Sequence, residues 1–189
     1  MAERRLEVKN FIVLEGLSGS GKTTIGKLLA ERMGADFYKT PPAVFRSIRD
    51  EVDRTAGTMS RFFFYLSGTL LSSQEISRIL ENRDVICDRY IYTTICYHLA
   101  IGLDFEIPAA LFQQIVMPNH FFLVTCREET RIKRLSARGM TANDIAERKE
   151  GIEARFIAEY RKFKPVEIDN SGNSPEYAVE QIMGIVGRG

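Results

Sequence analysis

Short apolar runs alternate with amphipathic segments along the 189-residue chain. Continuous apolar runs are typical of strands buried on both faces, whereas apolar residues that recur every three or four positions indicate helices. The pattern predicts five strands, at residues 11–14, 35–38, 85–87, 121–124 and 166–168. The predicted helices span residues 21–33, 44–52, 60–80, 90–99, 108–116, 128–137, 144–162 and 174–185. Since the two types alternate, we expect an α/β fold in which helices cover both faces of a five-stranded parallel sheet.

The composition narrows the class of protein. With 44% hydrophobic and 27% charged residues, the chain resembles an ordinary soluble protein, and residues 1–189 fit a single domain. A net charge of +1 gives no reason to expect nucleic-acid binding. The apolar runs are far shorter than the ~20 residues of a membrane-spanning helix. The three cysteines lack metal-binding spacing, so we expect reduced thiols in a cytoplasmic protein.

A glycine-rich segment lies between the first predicted strand and the first predicted helix. It matches the phosphate-binding loop pattern in full, because four residues separate Gly16 from Gly21-Lys22-Thr23. In such loops the backbone N–H groups and the helix N-terminus bind phosphate, the lysine contacts the β- and γ-phosphates, and the threonine binds Mg²⁺. The segment therefore predicts a P-loop NTPase that uses ATP and Mg²⁺. The predicted nucleotide-binding residues are Gly16, Leu17, Ser18, Gly19, Ser20, Gly21, Lys22, Thr23 and Thr24.

An aspartate and an arginine follow the third predicted strand. Because parallel strands end at the same edge of the sheet, Asp88 is expected beside the metal that Thr23 binds, which makes these two residues the predicted Mg²⁺ ligands. Arg89 has a planar guanidinium suited to a phosphate group. Taken alone, the pair also fits a structural ion pair at a strand end, but the phosphate loop favours a nucleotide site. The chain lacks the NKxD element of GTPases, which favours a kinase.

Two of these runs, FIVLEGLSGSGKTT and DVICDRYIYTTICYH, closely resemble the thymidylate kinases. The resemblance continues through RLSARG and VEIDNSGNSPEYAVEQI, roughly over residues 10–186. It implies a three-layer P-loop NTPase fold and transfer of the γ-phosphoryl of ATP to a nucleoside monophosphate, with dTMP giving dTDP. It also implies small-molecule nucleotide partners and a homodimer that pairs through the helix carrying residues 62–71.

The resemblance assigns roles on the acceptor side. Arg49 and Arg89 would bind the acceptor phosphate. Phe64 would stack on the base, although packing in the core or a dimer face is an equal alternative for a residue in the run FFFY. Tyr97 would lie against the sugar and disfavour a 2′-hydroxyl.

The resemblance also implies a lid at about residues 134–150 that closes over the substrates. Charge develops on the transferred phosphoryl group, and the phosphate loop has no arginine to neutralise it. Arg138 and Arg134 are the first candidates for this role and Arg148 is the third, while Arg127 and Arg131 are expected on a solvated helix face. The predicted catalytic residues are Lys22, Arg89, Arg138 and Arg134.

Four departures from the family pattern leave open which nucleobase the acceptor carries and whether its sugar must be deoxyribose. Ser18 replaces a loop aspartate, and residues 39–42 (KTPP) replace Arg-Glu-Pro-Gly. The arginine that contacts thymine aligns with Gly68, and the lid sequence Asp-Arg-Ile-Glu aligns with residues 143–146. Two alternatives to a monophosphate kinase are a deoxynucleoside kinase and a nucleotide-binding regulator with little activity. The first normally keeps a glutamate as base where this chain has Thr40.

Overall fold

The computed structural model describes residues 9–172 and 174–187. Residues 1–8, 173 and 188–189 of the predicted single domain lie outside this description. The strands are β1 (Phe11–Glu15), β2 (Asp36–Lys39), β3 (Val85–Asp88), β4 (His120–Thr125) and β5 (Val166–Asp169). The helices are α1 (Lys22–Met33), α2 (Ala43–Thr55), α3 (Thr58–Leu80), α4 (Ile91–Ala100), α5 (Ala109–Phe112), α6 (Glu128–Arg138), α7 (Ala142–Glu147), α8 (Ile152–Lys162) and α9 (Pro175–Val186).

The five strands form one parallel sheet in the order β2-β3-β1-β4-β5. The predicted α/β fold with a five-stranded parallel sheet is confirmed. Because β3 and β4 lie on opposite sides of β1, the chain changes direction across the sheet at β1, and ligands of open α/β folds bind beyond the strand ends at such a point. None of the described helices has both the length and the apolar character to cross a membrane.

Alternate residues of the central strand pack into two separate hydrophobic cores. Phe11 and Val13 of β1 pack with side chains of α3, α4 and α8. Ile12 and Leu14 pack with side chains of α1 and α9 on the opposite face. All four are at most 2% exposed, and full burial of such a side chain stabilises the fold by about 1.5–3 kcal/mol. The two cores hold β1 rigidly, which fixes the position of the loop that follows it.

Two predicted helices differ in the structure. The prediction of one long helix at residues 144–162 is wrong, because α7 ends at Glu147 and α8 begins at Ile152. The break occurs because Gly151 adopts a left-handed conformation (φ 72°) as the N-cap of α8, while Thr141 and Asp144 form a capping box that starts α7. The helix predicted at residues 108–116 contains only the four residues of α5. The break after α7 matters because it directs Glu147 toward the phosphate loop.

Candidate active site

The glycine-rich loop between β1 and α1 has a backbone that only glycine tolerates at two positions. Gly16 has a φ of 138°, and a Cβ there would lie 2.3 Å from the carbonyl oxygen of Val124. Gly21 is the N-cap of α1 with a φ of 102°, and its Cβ would lie 2.3 Å from the amide nitrogen of Asn170. The loop therefore passes close to β4 and β5 and places the N-terminus of α1, which favours anions, at the edge of the sheet.

Lys22 is a buried cation held by uncharged groups. Its Nζ donates to the carbonyl oxygen of Leu17 (2.8 Å) and to Oγ of Ser20 (3.3 Å), and the residue is 5% exposed. Burial lowers the pKa of Lys22 to about 7. In the part of the chain that the structure describes, no acidic side chain forms an ion pair with it. A buried ammonium group without an anionic partner fits a site that receives a phosphate group.

Thr23, in the first turn of α1, lies beside Asp88 at the end of β3. The Thr23 hydroxyl donates to Oδ2 of Asp88, and Nζ of Lys39 lies 3.2 Å from each of these two oxygens. Burial alone would raise the pKa of Asp88, but the charges of Lys22 and Lys39 lower it, so the carboxylate is ionised. These hard oxygen donors fit Mg²⁺, which commonly uses one or two carboxylates together with substrate phosphates. No cluster of three or more potential metal-binding His, Cys, Asp or Glu residues occurs among the described residues.

Arg89 turns from β3 into the cavity through a strained backbone. Its φ is 70°, in the left-handed region that non-glycine residues adopt at a cost of about 1–3 kcal/mol. The guanidinium donates from Nη1 to Oγ1 of Thr93 (3.1 Å) and from Nη2 to Oγ of Ser18 (3.3 Å). Nη2 also lies 3.7 Å from a carboxylate oxygen of Glu147. Its charged end is thus fixed between the phosphate loop and α4.

A buried carboxylate behind Arg89 was not predicted from the sequence. Glu15 is fully buried and accepts hydrogen bonds from the backbone N–H groups of Tyr90 (2.8 Å) and Thr93 (3.0 Å). The hydroxyl groups of Thr93 and Tyr160 also donate to it. Burial raises the pKa of Glu15, and the charge of Arg89 is among the effects that lower it. Glu15 therefore holds Thr93, which in turn positions the guanidinium of Arg89.

A second unpredicted carboxylate lies beside Ser18. Glu147 of α7 accepts from the backbone N–H of Ser18 at 2.5 Å and from its hydroxyl at 3.0 Å. Its side chain is 7% exposed and lines the same cavity as Arg89. The phosphate loop carries no acid where the resembled family has an aspartate, yet a carboxylate lies at this corner, supplied by α7. Asp144 and Glu147 are the buried residues of α7, but their spacing of three alone could not show what they face.

A cavity of about 650 Å³ extends from the phosphate loop between α2, α3, α4 and α7. This volume is within the usual range for small-molecule sites. Predicted site residues at its wall are Ser18, Gly19, Gly21, Lys22, Thr23, Thr24, Arg49, Asp88, Arg89, Tyr97, Arg134 and Arg138. Gly16, Leu17 and Ser20 are not part of the wall, and Leu17 and Ser20 accept hydrogen bonds from the Lys22 ammonium group.

Of the two alternatives for Phe64, the structure favours packing over stacking on a base. Its ring packs on Phe45 and Tyr65, outside the cavity wall. The face of α3 that lines the cavity carries Arg61, Tyr65 and Thr69, which are four residues apart and therefore lie on one side of a helix. Gly68 lies under Phe45, and its neighbour Thr69 faces the cavity.

Tyr65 belongs to a hydrogen-bond network that joins α2, α3 and α7 at one end of the cavity. Its hydroxyl lies 2.8 and 2.9 Å from the carboxylate oxygens of Asp53 and accepts from Nε of Arg49 (3.0 Å). Asn143 of α7 donates to the same carboxylate (2.9 Å). Burial raises the pKa of Tyr65 to about 12, so the phenol stays protonated and donates to Asp53. Arg49 lies at the cavity wall as predicted, with its guanidinium in this network.

The predicted lid arginines occupy different environments. Arg134 donates to the carbonyl oxygens of Ser20 (3.3 Å) and Asn170 (3.1 Å), so it supports the phosphate loop. Arg138 is bound to Asp144 (2.9 Å) and its side chain is 56% exposed at the cavity wall. The expectation that Arg131 lies on a solvated face is wrong, because it is 3% exposed and donates to Ser18 and Glu153. Arg148 lies outside the cavity wall, near the sulfur of Met140.

The phosphate loop, the oxygen pair at Thr23 and Asp88 and the adjoining cavity define a P-loop nucleotide kinase. A family model for thymidylate kinase matches residues 14–182. A probable thymidylate kinase of Methanocaldococcus jannaschii is 31% identical over 92% of this chain and 94% of its own length. The corresponding protein of Pyrococcus abyssi is 28% identical, over 93% and 95%. The chain belongs to the thymidylate kinase family, and the prediction of an ATP-dependent nucleoside monophosphate kinase is confirmed.

Solved structures share the fold. A thymidylate kinase from Candida albicans superposes with a TM-score of 0.76 at 19% identity, over 95% of this chain and 92% of that one. A thymidylate kinase from Ehrlichia chaffeensis has a TM-score of 0.66 at 20% identity, over 95% and 100%. The three-layer arrangement predicted from the sequence is therefore that of the family, while the substrate contacts rest on the residues of this chain.

Proposed function

We propose that this protein transfers the γ-phosphoryl group of Mg-ATP to dTMP, giving dTDP. The observation that carries the proposal is the placement of Arg89 opposite the phosphate loop in one cavity: its guanidinium is 3.3 Å from Oγ of Ser18. Lys22 lies on the donor side of this cavity and Arg89 on the acceptor side, and two such cations suit two phosphorylated substrates. The donor nucleotide binds along the loop, and the acceptor extends between α3 and α4.

A monophosphate acceptor agrees better with this site than a nucleoside does. A nucleoside 5′-hydroxyl must lose a proton during transfer and needs a base within hydrogen-bond reach. Thr40 stands where a glutamate would serve as that base, and its hydroxyl donates to the backbone carbonyl of Arg89 (3.1 Å). A phosphate oxygen is already anionic near neutral pH and needs no base. The two alternatives, a deoxynucleoside kinase and an inactive regulator, gain no support from the relatives.

The side chains of the site divide the chemistry of transfer. Lys22 and the N–H groups at the start of α1 bind the β- and γ-phosphates, and Arg89 binds the acceptor phosphate. Thr23 and Asp88 would hold Mg²⁺, which neutralises charge on the phosphates when bound. Tyr97, which lines the cavity and packs on Phe156 of α8, would contact the sugar. Tyr65 takes over the stacking role that the sequence assigned to Phe64.

A coupled assay of ADP release tests the function directly. The acceptors to compare are dTMP, dUMP, dCMP, UMP and thymidine at equal concentrations with Mg-ATP. We expect turnover with monophosphates, highest for dTMP, and none with thymidine. Turnover with thymidine alone would contradict a monophosphate acceptor. Absence of turnover with all five, from a folded protein that binds ATP, would favour the regulator.

We assign the transition-state cation of the lid to Arg138. Residues 134–150 form the proposed lid, in which Arg134 is engaged by loop carbonyls while Arg138 is exposed and within the cavity wall. Arg138→Ala is expected to lower kcat about 10³-fold, because a cation of this kind acts on charge that develops only during transfer. KM for dTMP should change by less than about threefold, since ground-state binding does not use this group.

Arg148→Ala is the matched control, because that arginine lies outside the cavity wall. Its steady-state constants should stay within about twofold of the unaltered enzyme, as is usual for a partly exposed site away from the chemistry. A larger loss in kcat for Arg148→Ala than for Arg138→Ala would reverse the assignment.

The proposal extends to a cytoplasmic homodimer that pairs through α3. Met59 and Phe63 on this helix are 40% and 47% exposed, although the neighbouring Phe62 belongs to the core. Apolar side chains exposed on one helix favour burial against a second copy. Sedimentation at micromolar concentration should give a dimer, and a monomer at all concentrations would contradict this part of the proposal.

A further inference from the structure

The ammonium group of Lys39 contacts both oxygens that the proposed function assigns to Mg²⁺. Its Nζ lies 3.2 Å from Oγ1 of Thr23 and 3.2 Å from Oδ2 of Asp88. The Thr23 hydroxyl donates to the same carboxylate oxygen, and all three residues line the cavity. A cation that belongs to the chain itself therefore lies against the two proposed metal ligands.

The parallel sheet brings Lys39 to this position. Lys39 is the last residue of β2 and Asp88 is the last residue of β3, and the two residues are paired in register. Since neighbouring strands lie about 4.7–4.9 Å apart, a side chain at the end of one strand reaches the end of the next. Strand β2 is at the edge of the sheet, and the Lys39 side chain is 49% exposed, whereas that of Asp88 is 2% exposed. The carboxylate is thus fixed in the fold, while the ammonium group can change partners without disturbing buried structure.

A buried carboxylate stays ionised only beside positive charge. Burial alone would raise the pKa of Asp88, and the charges of Lys22 and Lys39 lower it. The ammonium group of Lys22 donates to uncharged oxygens of the phosphate loop, whereas that of Lys39 forms an ion pair with the carboxylate. Lys39 therefore provides at Asp88 the direct positive contact that a metal ion would also provide.

An ammonium group and a divalent cation repel each other when they approach the same oxygens. Mg²⁺ binds oxygen ligands directly, at about 2.0–2.1 Å, and like charges a few ångströms apart repel most strongly where little water separates them. We infer that Lys39 competes with Mg²⁺ for Thr23 and Asp88 and thereby makes metal binding depend on the nucleotide. This inference rests on the proposed function, which assigns Mg²⁺ to these two residues. The phosphates of the nucleotide offer the ammonium group another anionic partner, which the flexible four-carbon stem of a lysine can reach.

Titration of the nucleotide-free protein with Mn²⁺ tests the inference by metal binding alone. Mn²⁺ prefers the same oxygen ligands as Mg²⁺, and electron paramagnetic resonance measures the unbound ion. Lys39→Met should bind Mn²⁺ at least about tenfold more tightly than the unaltered protein, because the competing cation is gone. Lys39→Arg keeps the positive charge and should stay within about threefold of the unaltered protein.

Lys27→Met is the matched control for the loss of one positive charge. Lys27 is exposed on α1, one turn after Thr23, and lies outside the cavity wall. Because solvent and salt screen an exposed charge, this variant should change the Mn²⁺ affinity by less than about threefold. A gain in Lys39→Met that Lys27→Met does not share would show that the contact with Asp88, rather than the net charge, opposes the metal.

An unchanged Mn²⁺ affinity in Lys39→Met would overturn the inference. Equal gains in Lys39→Met and Lys27→Met would also overturn it, as would an equal gain in Lys39→Arg, which keeps the charge. Lys39→Gln keeps a polar side chain and takes the place of Lys39→Met if that variant fails to fold. The proposed function fails separately: a gain in metal affinity in a protein that phosphorylates no acceptor would remove the function, whereas transfer to dTMP with unchanged Mn²⁺ affinity in Lys39→Met would remove only the inference.

Discussion

Lys22→Ala is expected to lower kcat for phosphoryl transfer at least about 10³-fold, measured as ADP release with saturating dTMP and Mg-ATP. The ammonium group is buried inside the phosphate loop and bound only by uncharged oxygens, so the bound phosphates would be its first anionic partners. Charge on the transferring group grows toward the transition state, so the loss is larger in kcat than in KM.

The fold of this variant should survive, which makes the result interpretable. Removal of a buried cation that lacks an ion pair takes away a desolvated charge, and Asp88, whose pKa the charge of Lys22 helps to lower, keeps its ion pair with Lys39. The free energy of unfolding should therefore change little or rise. Lys133→Ala, at an exposed position on α6, is the matched control and should retain full activity. A Lys22→Ala enzyme within tenfold of the unaltered kcat would exclude the phosphate-loop mechanism.

The phosphate loop could be predicted because contiguous residues determine its geometry, and the proximity of Thr23 to Asp88 could be predicted from the parallel sheet. Gly16 and Gly21 are required by backbone angles that the loop pattern itself specifies, and Lys22 and Thr23 follow within the next turn. Asp88 comes from a distant segment, but the parallel sheet brings every strand end to the same edge, so its position beside Thr23 also follows from the pattern. The sheet order itself depends on long-range packing.

The residues of α3 that line the cavity could not be predicted, because they depend on how the helix is rotated about its axis. Residues 62–65 are three phenylalanines and a tyrosine, so the apolar pattern does not distinguish one helix face from another. Packing decides the rotation: Phe62 and Leu66 enter the core, which turns Tyr65 and Thr69 toward the cavity. A family alignment that is wrong by one residue in a helix moves a side chain by about 100°, enough to exchange wall and core.

The environments of side chains in and near the proposed lid could not be predicted for a related reason. Arg131 appeared to be one of several arginines on a charged helix, and only the tertiary structure brings it to Ser18 and Glu153. Glu147 appeared to be within a long helix, and the left-handed Gly151 ends that helix and lets the carboxylate contact the phosphate loop. The contacts of Arg131 and Glu147 with Ser18 join residues more than 100 positions apart in sequence, which periodicity cannot detect.

Arg89→Met is expected to damage activity and stability together. In kcat/KM for dTMP the loss should be about 10³-fold or more, because the acceptor phosphate would lose a fixed bidentate cation at the reacting end. The free energy of unfolding should fall by about 3–5 kcal/mol, because Glu15 and Glu147 would keep their buried carboxylates without the arginine. Methionine has the same Cβ substitution as arginine, so the strain of the positive φ is unchanged and does not confuse the comparison.

Arg83→Met separates these effects from the general loss of an arginine. Arg83 forms an exposed ion pair with Asp36 (2.8 Å) just before β3, and such a pair contributes at most about 1 kcal/mol. Urea unfolding followed by circular dichroism gives the stability of both variants, and the kinetic assay is run well below the unfolding midpoint of Arg89→Met.

If Arg89→Met loses activity at full stability, the arginine acts on the substrate alone and the network with Glu15 carries no folding energy. If it loses stability while the folded fraction keeps its kcat/KM, Arg89 is a structural ion-pair partner and the acceptor phosphate binds elsewhere. Since Glu15, Thr93 and Arg89 form one chain of contacts, we expect both losses in the same variant.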